Sequence, residues 1–465
     1  MSARDDPDSS VPLLQDDDLN AGVNQLRTDV EGQTSVVPRY HSSFKRTWKK
    51  HPRKCIVFSV AFAAALIALL LAIFVVVPKR TPNTEHEDVE DGFAIDPRLE
   101  KYQMLNDTLV CPDWTEIPGN STTSTASFNL PSSTDLTFFL TRGSPITGQF
   151  AIANERLGLN EDIKVDVFAR HYDTGNGRKQ LQQSKACFAG QQNEQGIMIW
   201  ADPETTFSEI SFEISVHLPN IQEFRDISTD FTNSAVTHTM DIHFDLWRPT
   251  SFGVTRFAAR NASMDIGALL SPKIYVHTNN AEIRGFFGAS EAIQIQTNNA
   301  PILATIFTAG NHSGAQASLS IKNDNGPITA AIAMVSDFSH NELDASLHTT
   351  NGDLIIDTPR YGMSDKAVFR LDASTSNAFA FLSLPMDFQG TFDLSTTAGT
   401  ASLVLDPDQR DGKGRERVME MDKVNEKAHK AGKVYWGEEP PKSEQGNIKL
   451  RTTQRDVTVS GVDPN

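Results

Sequence analysis

Side chains that could ligate or hydrogen-bond a partner recur in this sequence at a repeated polar turn. The phrase reads Val276-His277-Thr278-Asn279-Asn280-Ala281-Glu282-Ile283 and returns as Ile295-Gln296-Thr297-Asn298-Asn299-Ala300-Pro301-Ile302. It occurs again as Ile321-Lys322-Asn323-Asp324-Asn325-Gly326-Pro327-Ile328 and as Leu347-His348-Thr349-Thr350-Asn351-Gly352-Asp353-Leu354. Asn323, Asp324, Asn325 and Asp353 carry oxygens of the kind calcium takes, but a calcium site needs roughly 6–8 oxygens with carboxylates among them. Most of these turns offer amides alone, and no EF-hand loop or Gly-Gly-x-Gly-x-Asp run accompanies them. The asparagines are therefore read as turn formers, because Asn and Gly tolerate the positive φ of tight turns.

Other reactive side chains are scattered. His238 and His243 do not have ligand spacing, and His277 and His348 fall at equivalent, outward, solvent-facing positions of two repeats. The nucleophile elbow Gly-x-Ser-x-Gly, the P-loop and the dinucleotide fingerprint are absent. Asp241 and Asp245 form a carboxylate pair, but such a pair carries little specificity in an acidic chain. Trp114, Trp200, Trp247 and Trp436 could stack against sugars, although aromatic residues of a β protein more often fill its core. No catalytic residue, cofactor site or metal site is assigned, and the chain is not expected to be an enzyme. Cys111 and Cys187 can pair in an oxidising compartment. Cys-Cys zinc spacing is missing.

The elements that must position these residues are strands. From residue 126 onward, runs such as Ile163-Lys164-Val165-Asp166-Val167-Phe168 alternate with period two, and no strong helical period appears between 126 and 405. From about 264 the turns fall at Asn280, Asn299, Asn325, Asn351 and Asn377, with Ala398 as a degenerate member. Val276, Ile295, Ile321, Leu347 and Leu394 stand four residues before these positions. Ile283, Ile302, Ile328, Leu354, Ala380 and Ala401 stand three after. Such a phase fits one coil of a stacked solenoid or one hairpin of a repeat β-sandwich, and the solenoid is favoured. Residues 406–446 are a charged insertion, read as a long loop with a solvated helix over 416–431. Residues 447–465 return to the repeat, with Leu450 and Val457 at the same offsets from Gln454, and are expected to close the stack with a polar tail.

Ahead of the strands lies an uncharged apolar run, Ile56 to Val77, long enough to cross a bilayer as one helix. Lys45, Arg46, Lys49, Lys50, Arg53 and Lys54 precede it, and acidic residues follow it, which predicts a cytoplasmic N-terminus. Residues 1–44 are then a disordered tail, 45–55 a basic juxtamembrane segment, 78–125 an acidic stalk and linker, and 126–263 an N-terminal β region. Cys55 lies where palmitoylation is common. Asn106, Asn120, Asn261 and Asn311 head Asn-x-Ser/Thr glycosylation signals, all beyond the apolar run. Beyond Val77 the chain holds 33 Lys and Arg against 51 Asp and Glu, a balance of −18 that argues against nucleic acid and anionic membrane surfaces as partners.

The repeats from about 264 to 405, with Val434-Tyr435-Trp436-Gly437 and the segment 446–459, resemble a family of proposed adhesin domains found in bacteria and, in related forms, in fungi. The basic tail, single anchor and β-repeat exterior look like a fungal membrane-anchored version. The resemblance implies a β-repeat fold and a surface location, with no established activity and no catalytic residues. The expectation is thus an all-β exterior part on a single-pass anchor, with a structural, adhesive or interaction role toward glycans or cell-wall and surface proteins. A glycan-binding or carbohydrate-active part is the alternative. The plasma membrane is the expected site, with a vacuolar or endosomal membrane as the alternative.

Overall fold

Period-two alternation becomes strands with one buried face. In Ile210–Leu218 and Glu342–Thr349 every second side chain is buried. The computed structural model describes residues 95–461 apart from 103–108, 155–161, 220–222, 242–249, 310–315, 336–341, 359–366, 386, 407–408, 412 and 423–426. The expected tail, basic segment and membrane span, with Cys55, Asn106, Asp245, Trp247 and Asn311, lie outside the described residues. No helix among the described residues is long and apolar enough to cross a membrane.

The N-terminal part holds β1 (Thr115–Ile117), β2 (Asn120–Pro131), β3 (Leu136–Gly143), β4 (Thr147–Asn154), β5 (Asp162–His171), a short helix α1 (Gly175–Gln182), β6 (Ser184–Gln191), β7 (Glu194–Ala201), β8 (Ile210–Leu218), β9 (Asp226–Phe231) and β10 (Ala235–Asp241). The repeats supply β11 (Val254–Ala259), β12 (Met264–Leu270), β13 (Lys273–Thr278), β14 (Ile283–Ala289), β15 (Ala292–Thr297), β16 (Ile302–Ala309), β17 (Ala317–Asn323), β18 (Ile328–Val335), β19 (Glu342–Thr349), β20 (Leu354–Asp357), β21 (Val368–Thr375), β22 (Ala380–Ser383), β23 (Gly390–Thr396) and β24 (Ala401–Val404). The chain continues with β25 (Arg417–Met421), β26 (His429–Trp436), β27 (Gly446–Thr452) and β28 (Val457–Ser460).

These strands make two 14-stranded sheets. Sheet 1 runs β25-β26-β23-β27-β21-β19-β17-β15-β13-β11-β9-β3-β7-β6, and sheet 2 runs β1-β2-β5-β8-β4-β10-β12-β14-β16-β18-β20-β22-β28-β24. From β9 to β22 the chain alternates between the sheets, and from β11 onward each strand pairs in parallel with the strand two places before it. Parallel ladders exclude a meander of hairpins here, because a hairpin pairs its strands antiparallel. This stretch is a two-faced parallel solenoid. The parallel pairing also runs unbroken across residue 264, since β10 pairs both β4 and β12.

The residues locked at fixed offsets fill the interior. Val276, Ile295, Ile321, Leu347, Leu394 and Leu450, four before the turns, are at most 1% exposed. So are Ile283, Ile302, Ile328, Leu354, Ala380, Ala401 and Val457, three after. Each fully buried large aliphatic side chain contributes about 1.5–3 kcal/mol, and stacking makes one continuous core from Ala126 to Val459.

The closing repeat does not end the stack. β27 lies between β21 and β23, and β28 between β22 and β24, all in parallel register. The coil made of β3 and β4 is likewise flanked by later strands, β7 and β9 on one sheet and β8 and β10 on the other. Antiparallel strands finish three of the four sheet ends: β6 on sheet 1, β5, β2 and β1 on sheet 2, and the β26–β25 pair beyond β23, while β24 ends the other side of sheet 2 in parallel register. They cover strand edges that would otherwise template pairing with another chain.

Two other expectations are corrected. The segment 416–431 is not a solvated helix or a plain loop: Arg417–Met421 and His429–Trp436 are strands paired antiparallel. Gly432 allows the pairing, since a Cβ there would meet the Glu420 carbonyl oxygen at 2.2 Å. The short helix α1 also lies between 126 and 405. α1 is short and polar, so it leaves no apolar period, and it is set by its N-cap, where the Thr174 hydroxyl accepts from the Gly177 N–H at 2.9 Å.

A strap crosses the outside of sheet 1. Leu99 and Tyr102 of the 3-10 turn Pro97–Tyr102 pack with Leu136, Phe138, Leu140 and Met198. Asp96, 1% exposed, anchors the strap through Arg98 at 2.6 Å and Arg256 at 3.3 Å. Burial alone would raise the Asp96 carboxyl, but the hydrogen bonds of Arg98 and the charge of Arg256 outweigh it and hold it below its ordinary value. Val110 and Phe188 exchange backbone hydrogen bonds, and Cys111 is joined to Cys187 by a disulfide. A loop of 76 residues closed in this way stabilises the fold by about 4 kcal/mol in the chain-entropy account.

Candidate interaction face

The turn asparagines form a ladder along one corner of the solenoid. The Asn280 side-chain nitrogen donates to Asn261 Oδ1 at 2.5 Å, and Asn299 donates in the same way to Asn280. Asn325 donates to Asn299, Asn351 to Asn325 and Asn377 to Asn351, each at 2.5 Å. The ladder therefore starts one coil earlier than the sequence phase suggested, at Asn261. These amides spend their hydrogen bonds on one another, as corner-forming residues do.

Beneath it runs a second ladder that the sequence reading missed. Two residues before each turn position stands Thr278, Thr297, Asn323, Thr349, Thr375, Thr396 or Thr452, all buried. Each side chain donates to the carbonyl one residue after the turn position of the neighbouring coil: Ala262, Ala281, Ala300, Gly326, Gly352, Arg455 and Ala378 respectively, at 2.7–3.2 Å. The signal was visible, since a Thr or Asn recurs at that offset in each repeat. Asn323 Oδ1 meanwhile accepts from the Asn325 and Gly326 N–H groups. Its oxygen is thus committed to the corner, while Asp324 and Asp353 lie exposed outside it. No cluster of three or more His, Cys, Asp or Glu suited to a metal ion occurs among the described residues.

The other candidates separate. His277 is 3% exposed rather than solvent-facing. Its parity is outward, yet neighbours enclose it, and Nε2 lies 3.0 Å from Asn279 Oδ1. Burial lowers its pKa. His348 is half-buried between the Ser346 and Ser374 hydroxyls, each at 2.8 Å. Trp436 is buried, with the Arg417 guanidinium 4.6 Å above its ring. Trp114 donates to the Ser184 carbonyl at 2.9 Å and packs beside Phe212, and Trp200 is partly buried against the strap cluster. The tryptophans therefore do not line up as a stacking platform among the described residues.

His238 points inward among Phe150, Phe231 and Phe257. Its Nδ1 lies 3.0 Å from the Val236 carbonyl and its Nε2 2.9 Å from the Thr229 hydroxyl. With Nδ1 as the donor, the neutral ring satisfies both contacts. Burial pushes its pKa down to about 4. The unfolded chain takes up this proton near pH 6.5, so stability is full above that value and falls as the pH drops toward 4. The loss between pH 7.5 and 4.5 is expected to be about 2–3 kcal/mol from this group. Urea unfolding at the two pH values checks it: the gap should shrink in His238→Leu, and an unchanged gap would refute the assignment.

The two outer faces differ in chemistry. On sheet 1, charges pair across coils: Arg370 with Glu342 at 2.9 Å and with Asp344 at 3.3 Å, and Arg451 with Asp372 at 2.5 Å. On sheet 2, apolar and small side chains face outward. Leu303 is 39% and Ile355 37% exposed. Phe286 and Phe307 stack with ring centroids 4.4 Å apart, and Phe379 and Phe381 lie 6.3 Å apart. Parallel register sets Arg284, Leu303, Thr329, Ile355 and Phe381 in one row along the solenoid. Phe286, Thr305 and Ala331 form the row beside it. A shallow depression of about 430 Å³ opens here, lined by Asp265, Gly267, Arg284, Phe286, Leu303 and Thr305 among others. At its rim Arg284 Nε donates to Asp265 Oδ1 at 3.2 Å.

No curated protein matches the chain in sequence. Similar solved structures include one named "putative cell adhesion protein" from Clostridium sporogenes, at 7% identity and TM-score 0.16, covering 73% of this chain and 99% of that one. Two named "putative adhesin" come from Bacteroides fragilis, at 7% identity and TM-score 0.24, and Parabacteroides distasonis, at 6% and 0.24; each covers 73% of this chain and 98% of the other. Residues 273–408, which build the coils from β13 to β24, match the family described as Domain of unknown function (DUF7330).

Proposed function

We propose that this chain is a single-pass membrane protein with a cytoplasmic N-terminus. Its β-repeat part stands outside as an adhesive or interaction module with a binding rather than a catalytic role. The observation that carries the reading is the outer face of sheet 2, where Leu303, Ile355, Phe286, Phe307 and Phe381 form a band that crosses several coils beside a polar opposite face. Contiguous exposed apolar surface marks interaction sites on soluble parts of proteins. The uncharged run from Ile56 to Val77 and its basic N-terminal flank support the anchor. The disulfide between Cys111 and Cys187 supports an oxidising, exterior compartment.

Full-length protein displayed on cells tests this. Ile355→Glu with Phe381→Glu should reduce adhesion to partner cells or wall material at least tenfold while leaving the melting temperature unchanged. Lys322→Glu, on the exposed face of sheet 1, should change nothing. Equal adhesion by both variants would overturn the assignment of the face.

A second reading, glycan binding, draws on the depression. Its volume falls in the range of ligand sites, and a half-buried Phe286 beside Arg284 and Asp265 offers a ring face next to hydrogen-bonding groups. Specific glycan-array binding lost in Phe286→Ala would favour this reading over protein contact.

A further inference from the structure

We infer that Asn261 carries an N-linked glycan that caps the open end of the asparagine ladder. The inference rests on the exterior placement proposed above. The ladder has one polarity: each later asparagine donates its side-chain nitrogen to the oxygen of the one before. Asn280, Asn299, Asn325, Asn351 and Asn377 therefore all use their nitrogens. Asn261 stands at the start and supplies only its oxygen, to Asn280. The ladder asks nothing of the Asn261 nitrogen.

The coil before it does not extend the ladder. Asn233 is at the matching corner, but its oxygen accepts from the Thr141 hydroxyl at 2.5 Å and the Ser234 hydroxyl at 3.0 Å. Its nitrogen faces the Gly143 carbonyl at 3.4 Å. Asn261 is exposed in the turn between β11 and β12 at φ 48°, a left-handed conformation that asparagine tolerates.

The acceptor signal falls at this position and at no other rung. Asn261 is followed by Ala262-Ser263, and Ser263 is exposed. The later rungs read Asn280-Ala281-Glu282, Asn299-Ala300-Pro301, Asn325-Gly326-Pro327, Asn351-Gly352-Asp353 and Asn377-Ala378-Phe379, and none has Ser or Thr two residues on.

The transfer balances with an oligosaccharide linked to a lipid pyrophosphate as donor. The amide nitrogen forms a bond to the anomeric carbon, the carbon–oxygen bond to pyrophosphate breaks, the lipid pyrophosphate leaves, and the amide gives up one proton. The product keeps the carbonyl oxygen that Asn280 needs. The glycan would stand on the corner between the two sheets, four residues before Asp265, and so flank the face of sheet 2 without replacing any of its side chains.

The full-length chain translated into the eukaryotic secretory pathway decides the matter. In one chain Asn106, Asn120 and Asn311 are changed to Gln, leaving Asn261 as the sole acceptor. In a second, Asn106, Asn261 and Asn311 are changed, leaving Asn120, the exposed first residue of β2. The Asn261 chain should show a gel shift that an endoglycosidase reverses and that Ser263→Ala abolishes, with the glycopeptide confirmed by mass. A shift in the Asn120 chain but not in the Asn261 chain would overturn the inference and leave the exterior placement standing. No shift in either chain would overturn both.

Discussion

A chain lacking residues 446–465 should lose the strands β23 to β26 along with the coil removed. In the stack, β23 and β24 reach the rest of the solenoid through β27 and β28. The missing segment also takes out Ile448, Leu450, Val457 and Val459, all at most 1% exposed. At about 1.5–3 kcal/mol for each buried aliphatic side chain, the loss is about 6–12 kcal/mol, comparable to the whole stability of an ordinary domain. The hydrogen bonds from Gly446 N–H to the Gln389 carbonyl and from Leu384 N–H to the Ser460 carbonyl, which hold the link that bypasses this coil, go as well. Limited proteolysis of the truncated full-length protein should cut first within 390–436. Cleavage sites identical to those of the intact chain would contradict the inserted position.

The second large effect separates the corner from the core. Leu347→Ala should destabilise by about 2–5 kcal/mol, because a fully buried leucine between Ile321 and Ala373 leaves a cavity that stacked coils close poorly. Asn351→Ala, four residues on, breaks two exposed ladder contacts, to Asn325 and from Asn377. Its cost should stay near 1 kcal/mol, the net worth of ordinary hydrogen bonds open to water. Denaturant midpoints for the two variants measure the difference. The reverse order would mean that the asparagines, rather than the apolar residues at their fixed offsets, hold the repeat together.

How much of this was legible differs element by element. The offsets of Val276 and Ile283 from Asn280 recur in most later coils and predicted which side chains are interior. Choosing parallel coils over hairpins needed pairing partners, and local alternation is the same in both. The position of the last coil was beyond local reading: Leu394 and Leu450 have the same offset from their turns, and nothing in either segment says which stacks on Ala373. In the structure β26 pairs antiparallel on the far side of β23, and the Phe388 N–H bonds the Pro385 carbonyl in the link that bypasses the closing coil. The strands β25 and β26 were hidden because charged residues occupy their exposed sides. The N-terminal coils were hidden because they turn without the Asn phrase. The face of sheet 2 was the least legible feature, since Leu303, Ile355 and Phe381 lie in different repeats and become one row only when the register is known.

The closing repeat is interior to one continuous stack. Amide hydrogen exchange on the full-length protein tests it most directly. Residues 447–452 should exchange as slowly as residues 343–349, because both strands have a parallel neighbour on each side. Exchange of 447–452 within the time of a frayed terminal segment, while 343–349 stay protected, would contradict the account.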